Sequence, residues 1–144
     1  MKTEFLIVIT IFIDIALIYI LFNEELNYFD KYAIIFVIFI HLCFLISIYF
    51  VNKKSIDIIH MIYVIYVYIF SFFFKNKYLI YLSIVIIITQ LISKHFIFGE
   101  CPISKFENIK IVRKFFDIIC KNYIDLIYKF ILLTILFYRV YLIK

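Results

Sequence analysis

The sequence predicts an all-α integral membrane bundle of about five spans, with one further amphipathic helix lying along the interface. Three observations lead there. Hydrophobic residues fill 67% of the 144 positions and charged residues only 17%, against about 25% charged in an average soluble domain. The apolar residues fall into five runs close to the ~20 residues a bilayer asks of a helix. Most Lys and Arg stand between those runs, where positive charge orients a membrane protein. Together these exclude a soluble globular, disordered, collagenous or disulfide-scaffold chain. Residues 1–144 are too few for two domains and read as one membrane domain. Ile, Phe, Tyr, Lys and Asn, all with AT-rich codons, dominate the composition and predict an AT-rich genome.

The first expected span covers residues 5–22 and is interrupted by Asp14. Lys2 precedes it as in a signal peptide, but Leu21, Phe22 and Asn23 follow instead of a small-x-small site, so it reads as an uncleaved signal anchor. The second covers residues 32–51 and contains His41. The third, residues 58–74, is opened by Asp57 and carries His60. The fourth, residues 78–98, holds Thr89, Gln90, Ser93, Lys94 and His95 near its end. The fifth, residues 123–143, contains Asp125, Lys129 and Arg139; the last two are expected to snorkel.

Between the fourth and fifth runs, a helix over residues 104–121 is expected. Glu107, Lys110, Arg113, Lys114, Asp117 and Lys121 recur at spacings of three and four, opposite Phe106, Ile109, Val112, Phe116 and Ile119. Ser104 and Glu107 fit a capping box, and Pro102 stops the fourth helix from continuing. A narrow basic stripe on a broad apolar helix suits a membrane interface, with Lys110, Arg113, Lys114 and Lys121 meeting lipid headgroups, anionic ones included. A sixth, imperfect span is the alternative.

Five spans divide the bases unequally. One side holds nine (Lys2, Lys53, Lys54, Lys94, Lys105, Lys110, Arg113, Lys114, Lys121), the other five (Lys31, Lys75, Lys77, Arg139, Lys144). The richer side, with the N-terminus, is therefore expected in the cytoplasm. The formal charge of +5 is thereby accounted for without nucleic acid. The expected partners are the bilayer itself and other membrane proteins or a second copy.

Ionisable groups inside a membrane raise a functional-site question by default. Asp14 lies 13 residues before Asn27, the middle of the first loop, and His41 lies 14 after it. An antiparallel pair would set both at one depth, as a proton relay or ion path, or as a polar pair that fixes helix pairing. A second group gathers at the cytoplasmic end of the third and fourth runs: Asp57, His60, His95, Glu100, Cys101 and Glu107. Asp57 and His95 each stand 19 residues from Asn76, in the short turn between those runs. These are metal-ligand and acid–base types, with His60 and His95 the candidate metal ligands, although no HExxH-like signature supports them. No cofactor is expected.

Ile59-His60-Met61, the Lys75-Asn76-Lys77-Tyr78 turn, Thr89-Gln90, Lys94-His95 and Gly99-Glu100-Cys101-Pro102-Ile103-Ser104 with Glu107 resemble small multi-pass membrane proteins of giant DNA viruses, a group without an assigned activity. Residues 101–108 are also similar, more distantly, to the Cys-Pro-Leu-Thr-x-x-Glu-Asn stretch of a bacterial membrane family. The resemblance covers residues 57–108. Phe96 stands where the viral proteins have Trp, and Ile109-Lys110 where the bacterial ones have Arg. The resemblance implies a virion or host endomembrane and no particular chemistry. Three functions stay open: a non-enzymatic structural or interaction protein; a small metal-binding protein or enzyme using His60 and His95; an ion conduit or permeabilising protein using Asp14 and His41.

Overall fold

The computed structural model describes residues 2–94 and 122–143, and these form five α-helices with no strand among them. They are α1 (Lys2–Asn23), α2 (Tyr28–Tyr49), α3 (Lys53–Phe70), α4 (Lys77–Ile92) and α5 (Asn122–Leu142). By length and composition, α1 from Glu4 and the whole of α2 can cross a membrane; α4 is apolar but shorter. The expected interfacial helix over residues 104–121 lies outside the described residues.

Asparagine starts three of the helices. Asn27, Asn52 and Asn76 are the N-caps of α2, α3 and α4, each accepting a backbone N–H from the first turn. An Asn side chain answers an N–H that the helix itself leaves orphaned. Asn52 thereby moves the start of α3 to Lys53, five residues ahead of the expected position, so Asp57 lies within the helix instead of opening it. At its other end α3 stops at Phe70, and Phe72, Phe73 and Phe74 belong to the turn instead of the span.

Between α2 and α3 the chain reverses through a tight cap. Asn52 N–H donates to the Ser47 carbonyl at 2.9 Å and Val51 N–H to that of Ile48 at 3.0 Å. This is the paired pattern of a Schellman motif, which asks for a left-handed residue between the two donors. Val51 fills that place with φ of 52°. A β-branched residue there costs about 1–2 kcal/mol. Val51→Gly is therefore expected to raise stability by about 1 kcal/mol, part of the relief being offset by glycine's greater unfolded entropy. Reversible unfolding of both proteins in the same micelle checks this; a less stable glycine variant would contradict it.

The closest helix pairs are α2 with α3, α1 with α2, α4 with α5 and α1 with α4. α3 and α4, joined by a short turn, have their most extensive backbone contacts with other helices. The turn constrains only the ends of the helices. The chain's two alanines, Ala16 and Ala33, lie on α1 and α2. Without small residues backbones cannot approach. Leu17, Ile34, Val67, Ile80, Ile87, Leu132 and Leu136 form the centre of the buried core.

Polarity runs inside out. Phe12 and Phe22 are 76% and 80% exposed, whereas Asp30 and Asp57 are 0% and 1% exposed. Lys129, expected to snorkel outward, is buried in the bundle instead. Its position on α5 turns it toward the other helices, where polar partners exist, and not toward the apolar outer face.

Candidate functional site

Three polar features sit in this frame. The first joins α1 to α2: His41 Nδ1 and Asp14 Oδ1 are 2.6 Å apart. Equal distances from the first loop bring the two to one depth, and α1 packs closely on α2. With Nδ1 engaged by Asp14, the other ring nitrogen is left for a different partner. The His41 ring rests against the Tyr63 ring of α3 with centroids 4.9 Å apart. Tyr63 has a buried hydroxyl with no hydrogen-bond partner among the described residues.

The second feature lies where α3 turns into α4. The Asp30 carboxylate accepts from Asn27 Nδ2 at 2.7 Å, from Lys75 N–H at 3.2 Å and from Asn76 N–H at 2.8 Å. Arg139, near the end of α5, donates through Nη1 to the carbonyls of Ser71 and Phe72 at 3.0 and 2.6 Å, and through Nη2 to that of Phe74. The anion thus meets N–H groups just ahead of α4, and the cation meets carbonyls just past α3. Each charge complements the helix dipole end beside it. Stacked rings surround this turn, Tyr66 on Phe70 at 4.7 Å and Phe29 on Phe70 at 5.8 Å. Sequence reasoning singled out no role for Asp30 and expected Arg139 only to snorkel from the fifth span. Their partners are backbone groups 45 and 68 residues away in sequence, and no side-chain pattern announces those.

The third feature is a cavity of about 360 Å³, bordered by all five helices. This volume falls within the ~300–1,000 Å³ range of small-molecule sites. Along α1 it extends from Phe5 to Ala16, about 16 Å of helix rise. Phe12 and Val85 line it and are also among the exposed residues, so it reaches the outer surface between α1 and α4. Its polar lining collects near the ends of α3 and α4 that lie on the N-terminal side: His60, Thr89, Gln90, Ser93 and Lys94, joined by Lys129. Tyr68 donates to Gln90 Oε1 at 3.3 Å. Helical side chains lean toward their own N-terminus, so residues on these oppositely directed helices reach toward each other across the gap.

Of the expected polar patch, Asp57 and His60 are described: Asp57 is buried in α3 and His60 lines the cavity. His95, Glu100, Cys101 and Glu107 lie outside the described residues, as do Lys110, Arg113, Lys114 and Lys121. Among the described residues no three His, Cys, Asp or Glu side chains gather as a metal-binding group. No family model, curated protein or solved structure matches the chain.

Proposed function

We propose that the chain is a membrane-resident, non-enzymatic interaction protein of five spans whose intramembrane cavity takes up a small apolar guest. The observation that carries this reading is the inverted polarity of the bundle. Large apolar side chains such as Phe12, Tyr19 and Phe22 face outward while Asp30, His41, Asp57 and Lys129 are buried. Water would penalise that outer face, and a hydrocarbon solvent would reward it. Helices α3, α4 and α5 carry more charge or are shorter than α1 and α2. Their charged groups turn inward or stand at helix ends, which supports counting them as spans as well. On the distribution of Lys and Arg we set the N-terminus in the cytoplasm, with Glu24 and Glu25 across the membrane. On the sequence resemblance alone we extend the reading to a virion or host endomembrane.

Single-cysteine labelling tests the topology, in a background where Cys43, Cys101 and Cys120 are replaced. A cysteine at position 25 is expected to react with an impermeant maleimide only from the non-cytoplasmic side, and one at position 54 only from the cytoplasmic side. Reaction of both from the same side, or release of the protein by alkaline carbonate, would reject the five-span reading.

A further inference from the structure

The His41 ring is held on two sides and open on a third. Asp14 engages Nδ1 at 2.6 Å, and the Tyr63 ring lies against the imidazole with centroids 4.9 Å apart. No described residue hydrogen-bonds the other ring nitrogen, Nε2. Nor is Nε2 sealed off: the buried Tyr63 hydroxyl is both unpartnered among the described residues and closed to water, and Nε2 does not share that condition. His41 is 4% exposed and lines the cavity, so the surface left to Nε2 faces that space. Ile40 and Phe44, near it on α2, and Ile13 and Ala16, near Asp14 on α1, line the same cavity. A polar atom in so apolar a wall costs free energy until a partner answers it. Phe12 precedes Asp14 by two residues, lines the cavity and is exposed, so the opening between α1 and α4 lies close to the depth of the pair. From that depth the cavity runs along α1 to Phe5, about 13 Å of helix rise.

We propose that the cavity binds one uncharged hydrophobe carrying a hydroxyl, of the class of medium-chain alcohols, with the hydroxyl on His41 Nε2 and the tail along α1 toward Phe5. The proposal rests on the membrane reading above and specifies its guest. The proton between His41 and Asp14 can reside on either partner, and Nε2 accepts or donates accordingly. A hydroxyl does both, so it answers Nε2 in either form. A carboxylate at Nε2 would instead set a second anion across one imidazole ring from Asp14, in an apolar wall that penalises like charges. An alkane satisfies the walls but leaves Nε2 unanswered. Lys94 and Lys129 line the cavity as well and have contacts of their own within the fold; a carboxylate probe reports on them in the test.

The test uses the full chain in phosphatidylcholine nanodiscs at neutral pH, with radiolabelled decanol, decane and decanoate as probes and empty nanodiscs as the partition control. Decanol is expected to bind saturably, near one per chain, and roughly fivefold or more tighter than decane or decanoate once partitioning is subtracted. In a chain carrying nitrogen-labelled histidine, the His41 Nε2 resonance, identified by its loss in Asp14→Leu/His41→Leu, should shift with decanol and stay in place with decane. That double variant keeps an apolar wall and should bind decanol no more tightly than decane. Asp14→Asn still pairs with Nδ1 and should hold decanol binding within about threefold. Tyr63→Phe removes a hydroxyl that is closed off from the cavity and should leave decanol binding within about twofold. Should the leucine variant misfold, the comparison of decanol with decane on the unaltered chain still decides. Equal binding of decanol and decane, tighter binding of decanoate, or an unmoved His41 resonance, in a chain that labels with the expected topology, overturns this assignment while leaving the five-span reading intact. Failure of the topology labelling removes the reading itself.

Discussion

Asp30→Ala is expected to destabilise the protein by about 3 kcal/mol. The side chain is fully buried and answers two backbone N–H groups and one amide. Alanine leaves those donors without their acceptor, at about 1–3 kcal/mol for each one that water does not reach. Asp30→Asn keeps one acceptor oxygen and should lose roughly half as much. Arg139→Ala strips three carbonyls at the same turn and should cost about 2 kcal/mol. Arg139→Lys should recover little, because a point-like ammonium cannot span acceptors that a planar fork reaches together. The double alanine variant should lose less than the two single losses added, since both side chains secure one segment of backbone. Reversible unfolding of the full chain in micelles measures all five. A loss below about 1 kcal/mol for Asp30→Ala would show that water already serves those N–H groups.

Breaking the Asp14–His41 pair should be nearly as costly. Either Asp14→Ala or His41→Ala is expected to lose about 3 kcal/mol, because a buried ionisable group deprived of its partner carries its whole desolvation cost. The double substitution Asp14→Leu/His41→Leu should regain most of that loss, since it removes both polar groups together and adds apolar contact. Asp14→Asn, which still accepts from the imidazole, should fall between. The magnitude discriminates. Hydrogen bonds between membrane helices average only about 0.6 kcal/mol in bacteriorhodopsin. A single-variant loss of that size would make the pair ordinary interhelical glue. A larger loss that the double leucine variant fails to repair would instead point to a role for the pair beyond stability, and would revive the conduit reading.

The depth of this pair was legible in the sequence because depth follows from counting. Asp14 and His41 stand 13 and 14 residues from Asn27, and an antiparallel arrangement converts equal counts into equal height. The facing of the two side chains was not legible, since a rotation about either helix axis changes no count. The three capping asparagines were legible in kind, a short polar residue at each junction ahead of an apolar run. They correct the start of α3, where apolar content alone put the boundary too late. Lys129 shows the opposite limit. Its neighbours in sequence predict outward snorkelling, and only the positions of α3 and α4 reveal an interior place for it.

The turn between α3 and α4 bears on how the protein is made. Asp30 is already synthesised when that turn emerges, being 45 residues upstream of Lys75, so its half of the arrangement can form during insertion. Arg139 follows Ser71 by 68 residues, and until it arrives the carbonyls past α3 lack the guanidinium that donates to them. On the proposed membrane reading, the first four helices enter the bilayer with an unfinished end, and α5 completes it from a distance. A chain interrupted before Arg139 should be held by membrane chaperones or degraded sooner than its apolar content would suggest, and supplying α5 as a separate peptide should rescue it. Such a rescue would make the last described helix a checkpoint for the first four.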